Sequence, residues 1–109
     1  MAYDEELGDR IRDVLAGRDD VREQKMFGGL GFMVSGHMTV GVVNDELMAR
    51  VGAEGEDEAL AQPHARPMDF TGRPMTGFIQ VAAEGVATEE QVKPWVERGL
   101  AFVTTLPPK

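Results

Sequence analysis

The chain has 109 residues and a formal charge of −8, with 42% apolar and 28% charged residues. That length supports one domain around one core, and the composition lies far from that of disordered chains. The absence of cysteine excludes disulfides, thiolate zinc sites and cysteine nucleophiles. The 19 acidic residues against 11 basic ones argue against direct nucleic-acid binding, which uses a basic stripe to displace phosphate counterions. The N-terminal MAYDEELGDR lacks the basic and apolar regions of a signal peptide. No apolar run reaches the length of a membrane span, so a cytoplasmic location is expected.

Residues 3 to 16 predict an amphipathic helix. Tyr3, Leu7, Ile11, Val14 and Leu15 fall on one stripe, and Asp4, Glu5, Glu6 and Asp9 favour its N-terminal end. Asp4 is placed to cap it and Gly17 to end it. Val21 to Phe27 predicts a strand with Glu23 and Lys25 facing water, and Gly28-Gly29 then turns the chain. From Met26 to Val51 apolar residues alternate between two-residue breaks: Leu30, Phe32 and Val34 precede Ser35-Gly36, Met38, Val40 and Val42 precede Asn44-Asp45, and Leu47, Ala49 and Val51 follow. Period-two spacing between such turns is the mark of antiparallel hairpins with one buried face.

Ala53 to Ala61 predicts a short helix, weakened by Gly55 and stopped before Pro63. Residues 62 to 77 carry three prolines and two glycines and are expected to be irregular or briefly extended, with Met68 and Phe70 able to dock or add a short strand. Phe78 to Val81 predicts a further strand, followed by an acidic turn at Glu84-Gly85. The last helix starts at Thr88, which forms a capping-box pattern with Gln91. Its stripe is Val92, Trp95, Val96, Gly99, Leu100, Val103 and Leu106, and Pro94 predicts a kink or a break into two pieces.

No catalytic signature emerges. The FGGLGF stretch has neither phosphate-loop spacing. His37 and His64 lack the further converging ligands a metal needs, and both are expected to be solvent-exposed. No serine or threonine has a histidine placed beside it by sequence. Arg73, between Gly72 and Pro74, presents a planar fork suited to carboxylates or phosphates, unless it pairs with Asp69 or a helix end. With His64 and Asp69 it forms the nucleus of an alternative small-ligand or enzymatic centre in the Arg66–Gly77 loop. Methionine is abundant between Met26 and Met48, so Met33 and Met48 are candidate contacts in a pliable protein-binding surface.

Taken together, KMFGG, GFMVSGHMTVGVVNDELMARV, RPMDFTGRPM and WVERGLAF resemble the N-terminal domain of the TfoX/Sxy family over residues 3 to 107. The resemblance implies an α+β fold, a two-layer α/β sandwich with an antiparallel sheet in the order α-β(3)-α-β(2)-α, like the type III secretion chaperones. The periodicity above would split the strands between the helices differently. The family includes competence regulators, transcriptional coactivators that work beside the cyclic-AMP receptor protein and carry a second, helical domain. A single-domain member spanning residues 1–109 is expected here. The resemblance brings no catalytic residue and no cofactor. It points to a small non-enzymatic regulatory or adaptor domain with a protein partner, and a homodimer is expected.

Overall fold

A computed structural model describes residues 3–26, 28–69 and 74–107, with the backbone alone for Met26, Asp69, Pro74 and Met75. The element order is α1 (Glu5–Val14), β1 (Val21–Met26), β2 (Gly29–Val34), β3 (His37–Val43), β4 (Glu46–Arg50), α2 (Gly52–Leu60), β5 (Ala65–Asp69), β6 (Pro74–Val81) and α3 (Glu89–Val103), with a 3-10 turn at Ala83–Gly85. The six strands form one antiparallel sheet in the order β1-β2-β3-β4-β6-β5. The α+β two-layer class therefore holds. Four strands, rather than three, lie between the first two helices.

Local chemistry explains most boundaries. Asp4 accepts from the Glu6 and Leu7 amides, so α1 starts two residues later than its apolar stripe suggests, and Tyr3 instead bridges to Asn44. Ser35 and Gly36 have φ of 51° and 86°, the left-handed pair that lets a two-residue turn match strand twist. Thr88 and Gln91 form the reciprocal capping box. The described parts of the Arg66–Gly77 segment are more regular than their prolines suggest. They belong to the antiparallel strands β5 and β6, with Pro67 on an edge strand and Pro74 at a strand start, where a missing N–H is tolerated.

One expectation is narrowed and one is corrected. Of the kink or break expected at Pro94, the break does not occur, and the last helix runs as a single element through it. Pro94 has no N–H for the Glu90 carbonyl, and both residues are exposed. His37 is buried, at 7% exposure, and its Nε2–H donates to the Pro107 carbonyl at 2.6 Å. A residue 70 positions away supplies that cover, which local spacing cannot reveal.

All three helices pack on one face of the sheet. Leu7 and Ile11 of α1, Phe32, Val40, Leu47 and Ile79 of the strands, and Val92, Trp95 and Val96 of α3 share one core. Helix α3 approaches β3 at Gly99, where an added Cβ would lie 2.9 Å from both the Thr39 carbonyl oxygen and the Thr39 Cγ2. An irregularity in register after Phe32 leaves Thr39 as an extra residue turned with Val40 toward that helix.

Arg12 ties α1 to β1 through both oxygens of Glu23, at 2.6 Å each. The hydrogen bonds from Arg12 hold the Glu23 carboxyl below its ordinary value of 4.5. Because the folded pKa is depressed, this contribution is complete above about pH 4.5 and is lost as pH falls through the folded value. Urea melts at neutral pH and at about pH 3 are expected to show a smaller acid loss in Arg12→Met than in the wild type. An equal loss would show that Glu23 contributes nothing to the acid sensitivity.

Candidate functional site

The sheet face turned away from the helices is left uncommitted by the core. Register places Gln24, Gly31, Gly41, Met48, Gln80 and Arg66 in one row across all six strands. Beside it runs a second row of Arg22, Met33 and Met38. Met33, Met38 and Val43 are half-buried, whereas Met48 is buried at 6% exposure. The burial of Met48 follows from the glycines: its Cε would lie 3.1 Å from a Cβ added at Gly41, so the side chain lies flat over that strand. The centre of the face is therefore flat and apolar, with pliable thioethers at one end.

The polar end is closed on itself. Arg66 grips both carboxylate oxygens of Glu46 from two strands away, and Gln80 Nε2 donates to Glu46 at 3.2 Å. The pairing with Glu46 also raises the Arg66 guanidinium above its ordinary value. Arg50, at the end of β4, stacks 5.8 Å from Phe78 and 5.2 Å from Phe102 of α3, so its guanidinium lies at the end of the sheet toward the helix layer rather than over the open face. Among the described residues the face carries Arg22 and Arg66, the latter paired with Glu46, and Asp19 and Asp20 line the cleft beside Arg22, Gln24 and Met33, so its charges are mixed.

His64 sits elsewhere, just before β5, with φ of 70° and an exposed side chain whose Nδ1 is 3.8 Å from Glu84. It borders a cleft of about 230 Å³ with Pro63, Gln91, Pro94, Trp95 and Arg98. Arg98 lies 5.4 Å over the Trp95 ring and pairs with Glu58 at 3.3 Å. Asp69 ends β5, so His64 and the Asp69 backbone lie at opposite ends of that strand, roughly 16 Å apart by strand rise. Arg73 and the Asp69 side chain lie outside the described residues. Among the described residues no group of three or more His, Asp or Glu side chains could hold a metal ion, and no helix is long and apolar enough to cross a membrane.

Sequence spacing singled out Met33 and Met48 but missed Gly31, Gly41 and Met38, whose alignment depends on strand order. The alternating burial and the two glycines were the available signal.

The fold is an α+β two-layer domain with one sheet face covered by helices and the other open. The family model for the TfoX N-terminal domain matches residues 13–103 of the chain, which therefore belongs to that family. No curated protein and no solved structure matches it.

Proposed function

We propose that this protein is a regulatory domain that acts by protein–protein contact through the open sheet face. The observation that carries this proposal is the flat apolar strip over Gly31, Gly41 and Met48, flanked by the half-exposed Met33 and Met38. Adaptable thioethers suit a surface that must fit another protein. Family membership supports a regulatory role.

The test is cross-linking capture from lysate with the wild type and Met38→Asp, both confirmed to melt alike. A specific partner recovered by the wild type is expected to be lost, or reduced at least about tenfold, in the variant. Repeated recovery of nothing specific, or equal recovery by both chains, would overturn the proposal. A tight, salt-sensitive shift of DNA by the protein would instead redirect it to nucleic acid.

A further inference from the structure

The edge strand β1 has an unusual surface. Arg22, Glu23, Gln24 and Lys25 are exposed in succession, so both faces of the strand are open as well as its edge. Helix α1 lies over β2, with Gly8 against Leu30 and Arg12 above Phe32, and does not roof β1. Charges on an edge strand ordinarily guard against pairing with other chains. Here the same charges become complementary when the strand meets its own copy in one register.

The main-chain groups fix which registers exist. The Ser35 N–H donates to the Asp20 carbonyl at 2.9 Å, which, with the register of β1 and β2, turns the even-numbered residues of β1 toward β2. By alternation Glu23 and Lys25 turn their N–H and C=O outward. A second β1 related by a two-fold axis normal to the sheet must then pair odd residues with odd residues. Centred on Gln24, Glu23 of each copy faces Lys25 of the other, and each such pair exchanges both of its main-chain hydrogen bonds. A shift of two residues one way sets Glu23 against Glu23, and the other way Lys25 against Lys25, both repulsive.

We infer that β1 is a self-association edge, joining two copies antiparallel about Gln24 into one continuous sheet. Glu23, already held by Arg12, then bridges Arg12 and Lys25 of the second copy. The two-fold axis leaves both helix layers on one side and both methionine faces on the other, so the open face is doubled. The inference stands apart from the proposed partner, since it needs no third molecule. Edge pairing alone gives a small interface, and the −8 charge of each copy opposes approach, so the dimer is weak and concentration-dependent.

Sedimentation of the whole chain up to millimolar concentration tests it, with charge reversals at the two paired positions. Wild type is expected to shift reversibly from monomer to dimer. Lys25→Glu and Glu23→Lys, each checked by circular dichroism, are expected to weaken association at least about tenfold by placing like charges opposite one another. Mixed in equal amounts they restore both Glu–Lys pairs, and the heterodimer is expected to return. Hydrogen exchange on concentrated wild type should show the Glu23 and Lys25 amides protected relative to dilute protein, a readout that needs no variant. A monomeric wild type, dimers unaffected by both reversals, or a mixture that stays monomeric would each overturn the inference.

Discussion

Trp95→Ala is expected to unfold much of the population at ambient temperature or to lower the melting temperature by at least about 12 °C. Trp95 is 6% exposed in the middle of α3, in one core with Val92, Val96, Leu7, Ile11, Phe32, Val40 and Leu47. It thus joins the two long helices to the central strands. Truncating a buried aromatic costs about 3–5 kcal/mol, from the lost transfer energy and the cavity left behind. Such a domain has only about 5–15 kcal/mol in total. The surroundings have little room to collapse into the gap, because Gly99, one turn further along α3, already holds the helix against the Thr39 main chain. Thermal melts followed by circular dichroism decide the matter. A variant that melts like wild type would show that α3 is not an integral part of the core.

How much of this was legible in the sequence depended on range. Features set by neighbouring residues were plain: the Ser35-Gly36 turn, the Asp4 cap, the Thr88–Gln91 capping box and the alternation that buries Leu30, Phe32, Val40, Val42 and Leu47. Features set by distant segments were not. His37 is covered by Pro107, and Arg66 meets Glu46 only because β6 inserts between β4 and β5. Pro94 left two outcomes open, a kink or a break, because the lost hydrogen bond is local whereas the packing that holds the rest of α3 together is not. The candidate site shows the same division. The abundance of methionine drew attention to Met33 and Met48, whereas the strip that lays Met48 flat exists only once Gly31 and Gly41 are set opposite one another.

That pair of glycines carries the second large effect. Gly41→Val is expected to cost at least about 3 kcal/mol, at the upper end of overpacking penalties, and to lower the melting temperature by at least about 12 °C. A Cβ at Gly41 would stand 2.6 Å from the Leu30 carbonyl oxygen and 3.4 Å from Gly31 Cα. Both are main-chain atoms of the neighbouring strand and cannot yield without spreading the β2–β3 pairing. Met48 Cε, at 3.1 Å, is the end of a flexible side chain and can move aside at little cost. Gly41→Ala should therefore show the same effect with a smaller magnitude, since the first carbon already meets the backbone and the further methyls add to it. The graded pair separates packing from recognition. If both variants melted like wild type yet lost the captured partner, Gly41 would be needed to keep the face flat for docking. The expected outcome is loss of stability in the order wild type, alanine, valine, because the collision lies within the chain's own sheet.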